Sequence, residues 1–355
     1  MILSRRKKFF FSVIAVMLSL VVVLVGLLAA DLIVHHRAEK SAGLNRYGYR
    51  GPVVGRKAAG ELRVAMVGGS TTFGYGVAWN ESIPAFLEQK LKARLNRPVT
   101  VLNLGFNNEG AFAFLPNLQD FESLDYDVIV LYEGYNDLPG DEGPNRGVYR
   151  RTSAIFRRFG YFPILPLYLE EKARALRYGS VGAAYEALAT KGGDPNQVVF
   201  RPGFAQRTSA AALETISSMT QALDGQLAQT AAAPPPVAKQ SALGCVFPYV
   251  MYCDSVAAAV RFGRERGKGV VVGAQPHLPG ARSSDLHAKQ QEMLSAMIAR
   301  VFGADRQVVR ADFSQLVDLT DINVTFDGMH LKPEANAAVA AALVDPVIAA
   351  SAIRQ

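Results

Sequence analysis

Five short apolar runs, separated by helical patterns, constrain the fold of this chain more than any other feature. They are LRVAMV at 62–67, VTVLNL at 99–104, DVIVLY at 127–132, GVVVGAQ at 269–275 and QVVRAD at 307–312. Helical periodicity falls between them, at about 80–95, 207–230, 255–266, 283–302 and 334–350. A strand with no polar alternation is buried on both faces, which is the mark of a parallel sheet covered by helices on each side. The expected fold is therefore α/β, with a parallel sheet and crossover helices.

One interval breaks this rhythm. The stretch at about 138–250 is too long for a single crossover and reads as an insertion. It holds the apolar, aromatic and basic SAIFRRFGYFPILPLYLEEKARAL, suited to lie over the active site or against a bilayer. It also holds AQTAAAPPPVAKQSA, whose three consecutive prolines favour an extended surface loop.

The N-terminus adds a second constraint. Residues 9–30 carry no charge. Twenty-two helical residues span about 33 Å, enough for the hydrocarbon core of a membrane. The run is longer than a secretory apolar core, and LLAA before Asp31 is a weak cleavage signal. Arg5, Arg6, Lys7 and Lys8 precede it, so the positive-inside rule leaves the N-terminus in the cytoplasm and the remainder outside, periplasmic in a bacterium. The expected layout is a basic tail at 1–8, a signal-anchor helix at 9–31, a juxtamembrane linker at 32–60 and a folded domain at 61–355.

The formal charge of +7 owes four of its positive charges to that basic tail. No zinc spacing, aromatic RNA-binding run or basic helix is present, which argues against nucleic acid. Arg146, Arg150, Arg151, Arg157 and Arg158 read as a solvated basic face. The two cysteines, Cys245 and Cys253, suit an exported domain and form a candidate disulfide. Closing so short a loop would stabilise by roughly 2–3 kcal/mol. No metal-site spacing surrounds them. Partner proteins leave no signature in the chain.

The first strand ends in VGGSTTFGYG. A phosphate loop would need lysine where Tyr75 stands, and a dinucleotide fingerprint would need glycine where Trp79 stands. A nucleophile elbow would need glycine at Thr72. Ser70 is left as a nucleophile in another kind of strand-to-loop turn. In a doubly wound sheet, chemistry gathers at the carboxyl ends of strands. Those ends deliver Ser70, Gly105 in NLGFNNEG, Asn136 in YEGYND, His277 in QPHLPG, and Asp327 with His330 in TFDGMHLKPEA. A serine hydroxyl needs a base, which His330 supplies, and the imidazolium needs a carboxylate, which Asp327 supplies. An oxyanion needs fixed donors, and the Ser70 and Gly105 N–H groups with the Asn136 amide fit that need. Asp137 competes with Asp327 for the histidine, but the three-residue offset favours Asp327. His277 and Asn107 are candidate substrate contacts. His35 and His36 read as interfacial, and Trp79 as packing.

The blocks VGGSTTFG, NLGFNNEG, YEGYND and DGMHLKPEANA resemble those of the SGNH (GDSL-type) hydrolases, over about 60–137 and 255–350. The resemblance implies a three-layer α/β/α flavodoxin-like fold. It implies Ser70, His330 and Asp327 as catalytic residues and Ser70, Gly105 and Asn136 as the oxyanion hole, without metal or organic cofactor. Gly69 departs from the family pattern, which often has Asp there. The expected activity is hydrolysis of an acyl or O-acetyl ester, including esters on carbohydrate. Alternatives are acyl transfer to an envelope or exported polysaccharide, and a non-catalytic envelope protein on the same fold.

Overall fold

The computed structural model describes residues 5–38, 43–138, 145–179, 203–228, 240–277, 282–321 and 323–351. The prolines expected in an extended loop, at 234–236, lie outside the described residues. The chain forms two compact units. One joins residues 1–38 to 153–230, and the other joins 39–152 to 231–355.

The second unit contains the sheet. Its strands are β1 (Leu62–Gly68), β2 (Val99–Asn103), β3 (Val128–Tyr132), β4 (Gly269–Ala274) and β5 (Val308–Asp312). Their order is β2-β1-β3-β4-β5 and every pairing is parallel. This is the flavodoxin-type winding, with its switch point between β1 and β3. Each strand falls within a residue or so of the apolar run that announced it.

The helices in chain order are α1 (Arg5–Ala38), α2 (Ser70–Phe73), α3 (Ile83–Leu95), α4 (Phe114–Asp120), α5 (Ala154–Phe159), α6 (Leu165–Tyr178), α7 (Phe204–Ala228), α8 (Val250–Glu265), α9 (Arg282–Phe302) and α10 (Pro333–Ser351). Val64, Met66, Val128 and Val130 point to one face of the sheet and pack with Ile83, Leu87 and Leu91 of α3 and Val339, Leu343 and Val347 of α10. On the opposite face α8 comes so close to β3 that a Cβ on Gly263 would lie 2.7 Å from Ile129. The result is the three-layer α/β/α arrangement, with an N-terminal apolar helix long enough to cross a membrane. Cys245 and Cys253 are joined by a disulfide just before and within α8.

Residues after the apolar run are also ordered. Arg50 bridges antiparallel to Asn103, at the end of β2. Its guanidinium bonds the carbonyls of Phe73, Gly74 (2.7 Å) and Val77 (2.5 Å) in the turn that follows Ser70.

In the first unit, α1 exposes its apolar side chains from Phe9 to Leu28. An aqueous protein would bury such a surface, worth about 25 cal/mol for each Å² covered. Its last turns are different. Asp31 Oδ1 accepts the N–H groups of Ile164 (2.9 Å) and Leu165 (2.6 Å), its other oxygen takes the Tyr161 hydroxyl, and His35 bonds the Phe162 carbonyl at 2.9 Å. His35 is thus buried against α6 and its approach, while His36 is exposed.

Candidate active site

The turn at Ser70 is shaped by glycines that leave no room for side chains. A Cβ on Gly68 would lie 2.2 Å from the Tyr132 carbonyl oxygen. Ser70 then opens the single turn of α2. Gly74 closes it in the left-handed region at φ 84°, donating its N–H to the Ser70 carbonyl at 2.9 Å. Thr72 Oγ1 donates to the Tyr132 carbonyl at 3.1 Å, tying the turn to β3. Gln275, at the end of β4, donates to Thr71 Oγ1 at 2.6 Å.

His330 arrives on the loop before α10. Thr325 and Leu331 form an antiparallel bridge, and Phe326 N–H donates to the His330 carbonyl at 2.9 Å. Asp327 Oδ1 accepts the backbone N–H groups of Met329 (3.1 Å) and His330 (2.8 Å). Asp327 Oδ2 lies 2.6 Å from His330 Nδ1, and His330 Nε2 lies 2.8 Å from Ser70 Oγ. A carboxylate beside Nδ1 places the ring proton there and leaves Nε2 to accept from the serine. Burial pushes the Asp327 carboxyl up, but hydrogen bonds from the His330 ring and backbone outweigh it and hold the group below its ordinary value.

The expected oxyanion donors surround the same turn. Asn136 Nδ2 donates to the Glu109 carbonyl at 3.0 Å and has a second hydrogen to offer. The Gly105 N–H is engaged by Asn103 Oδ1 at 3.1 Å. The glycine there has a packing reason: a Cβ would lie 2.4 Å from the Phe73 nitrogen. Asp137 does not meet His330. It accepts the Ala111 N–H at 2.8 Å, and burial, reinforced by Glu133, raises its carboxyl well above the ordinary range.

Two candidate substrate contacts stand apart from the triad. His277 follows β4 with its ring 6.1 Å from that of His287, and Asn107 Oδ1 is buried with no hydrogen-bond partner among the described residues. Among the described residues, no hydrogen bond joins either to Ser70, Asp327 or His330. A cavity of about 400 Å³, lined by residues such as Tyr49, Arg56 and Trp79, contains none of those three.

Several residues that shape the site carry no motif. Arg150, expected on a solvated face, is fully buried. It donates to the carbonyls of Gly48 (2.5 Å), Leu104 (3.0 Å) and Gly105 (2.8 Å) and to Glu109 (3.3 Å). It thereby holds the loop after β2, and the solvated-face reading is corrected because carbonyl oxygens and a carboxylate replace its water. Arg151 instead pairs at the surface with Asp120. Glu133 is buried beneath the Ser70 turn; its only sequence signal is its place at the head of EGYND.

The sequence model of the GDSL-like lipase/acylhydrolase family matches residues 66–338, which contain the whole constellation. The chain belongs to this family. It is an ester-hydrolysing GDSL enzyme. Among solved structures, a lipolytic G-D-S-L family protein from Veillonella parvula DSM 2008 is 11% identical, with 80% of this chain and 97% of that one covered and a TM-score of 0.40. A carbohydrate acetylesterase from Sinorhizobium meliloti is 13% identical, with 81% and 98% covered and a TM-score of 0.36. No curated protein matches the chain. The assignment of this GDSL enzyme rests on the family model.

Proposed function

We propose that this GDSL enzyme is a membrane-anchored serine esterase that works through an acyl-enzyme on Ser70. The supporting observation is the unbroken relay Asp327–His330–Ser70, at 2.6 and 2.8 Å. Ser70 Oγ attacks the acyl carbon while its proton passes to His330 Nε2, and Asp327 stabilises the imidazolium. The carbonyl oxygen takes the negative charge and meets N–H donors from Ser70 and Asn136, joined by the Gly105 N–H once it turns from Asn103 Oδ1 to the oxyanion. The C–O bond then breaks, His330 returns the proton to the departing alcohol, and water activated by His330 releases the acid.

The rim favours an ester on a bulky polar alcohol such as a carbohydrate. The Asp327 side chain is 49% exposed. The Tyr75 ring lies 4.6 Å from the His330 ring, and the exposed Phe326 ring seats against Gly76. Two aromatic faces beside the base, next to an exposed carboxylate, suit the C–H faces of a sugar ring. The exposed apolar length of α1 supports an anchor, and the basic residues before it support a cytoplasmic N-terminus.

The test is turnover of p-nitrophenyl acetate and labelling by a fluorophosphonate probe. Ser70→Ala is expected to abolish both while the protein keeps its melting temperature. Wild-type turnover by that variant overturns the reading. Product analysis with an acylated sugar then separates free acid, expected for hydrolysis, from an acylated acceptor.

A further inference from the structure

Gly69, immediately before the nucleophile, has an unremarkable φ of −87°, so backbone strain does not demand a glycine there. Space does. A Cβ built on Gly69 would lie 2.2 Å from Glu133 Oε2, 2.3 Å from Asn136 Nδ2 and 2.7 Å from the Glu109 carbonyl oxygen. The volume a side chain at residue 69 would enter is already taken by a carboxylate that comes from the end of β3.

That carboxylate is fully committed. Glu133 is 2% exposed. Its Oε2 accepts the Gly69 N–H at 2.7 Å, and its Oε1 accepts the N–H groups of Gly134 (2.9 Å) and Asn136 (3.1 Å). Its backbone carbonyl is held by the Tyr252 hydroxyl at 2.8 Å. Three amide donors converging on one buried anion is a costly arrangement to leave half made. Burial raises the Glu133 carboxyl above its ordinary value, and the three N–H donors with His330 offset that only in part.

We propose that Glu133 is a positioning residue for ester cleavage: its carboxylate replaces a side chain at residue 69 and locks the Ser70 turn to the Asn136 loop. One oxygen grips the residue before the nucleophile, and the other grips the residue whose amide serves the oxyanion. The distance between attacking oxygen and oxyanion donor is thereby set by one side chain. This rests on the acyl-enzyme reading above.

A carboxylate exchange tests it, using full-length protein in detergent micelles and p-nitrophenyl acetate. Glu133→Gln keeps the bulk but turns an amide NH₂ toward backbone N–H groups. It is expected to lower kcat by about 10²-fold, comparable to loss of an oxyanion donor, with KM changed less than about threefold. Gly69→Asp alone crowds two carboxylates into one volume and is expected to be at least as impaired. Glu133→Asp keeps the charge on a shorter arm and is expected to retain about tenfold more kcat than Glu133→Gln, a difference that loss of bulk does not produce. Glu133→Gln within threefold of wild-type kcat, or Glu133→Asp no better than Glu133→Gln, overturns the proposal. Ser70→Ala run in parallel separates the two readings: if it is inactive while the Glu133 variants are normal, only the positioning role fails.

Discussion

Asp327 holds His330 twice, by the ring nitrogen at 2.6 Å and by the backbone nitrogen at 2.8 Å. The two oxygens of one carboxylate therefore fix both the tautomer and the place of the base. Asp327→Asn can keep a ring contact only by reversing the favoured tautomer. In enclosed triads that change costs about 10⁴-fold in kcat. Here the carboxylate is half exposed and water can substitute in part, so the expected loss is on the order of 10²-fold, measured as kcat on p-nitrophenyl acetate. A variant with wild-type kcat would show that the histidine needs no orienting partner.

Arg150 and Glu109 are both buried and face each other at 3.3 Å. Glu109 also accepts from Asn117 (2.6 Å) and from the Tyr149 N–H (2.9 Å). Arg150→Met strips four acceptors of their donor and leaves a carboxylate uncompensated. The expected loss of stability is about 3–5 kcal/mol. Adding Glu109→Gln removes the stranded charge, so the double variant should melt above the single one. A single variant as stable as wild type would contradict the buried-pair argument.

Gly105→Ala pushes a methyl group onto the Phe73 nitrogen, 2.4 Å away, and that atom is backbone. The turn after Ser70 must move. Overpacking of this kind costs about 1–3 kcal/mol. Activity should fall further than the thermal shift alone explains, because the displaced turn carries Ser70, the proposed nucleophile. Comparing melting temperature with the rate of fluorophosphonate labelling checks this; labelling at the wild-type rate would refute it.

His287 gives the fold a pH dependence. Burial, with the nearby positive charges of His277 and Arg310, lowers its pKa to about 4. In the unfolded chain the value is about 6.5. Between these values the unfolded chain binds a proton that the folded one refuses. The stabilising contribution is therefore intact above about pH 6.5 and is lost progressively as the pH falls toward 4. His287→Gln should flatten the fall in melting temperature across that window, whatever its melting temperature at neutral pH. An unchanged slope would place the titration elsewhere.

The sheet was legible because strands buried on both faces leave uninterrupted apolar runs, and Val128–Tyr132 and Gly269–Ala274 are buried throughout. The meeting of Ser70, Asp327 and His330 was legible for a different reason. Ser70 sits just past β1, while Asp327 and His330 lie near the end of the stretch joining β5 to α10, on the side of the sheet where topology brings the strand ends together. Glu133 and Arg150 were not legible in that way. A charge inside a protein is tolerated only by virtue of its neighbours, and those neighbours are far away in the chain: Gly69 for one, Gly48 and Leu104 for the other. The packing role read for Trp79 is seen against Gly51, where a Cβ would lie 3.4 Å from its ring. The burial of His35 had no local signal, because its partner Phe162 lies in the insertion.

The grip of Arg50 on the turn that follows Ser70 bears on how far the chain can be trimmed after its N-terminal apolar helix. A soluble form trimmed to residue 61, at the threshold of the first strand, would leave the Gly74 and Val77 carbonyls without their guanidinium. Shedding by a protease would have the same effect if the nick fell beyond residue 50, and a spared active product if it fell ahead of residue 43. The segment between the apolar helix and the sheet thus behaves as a latch whose release would loosen the Ser70 turn.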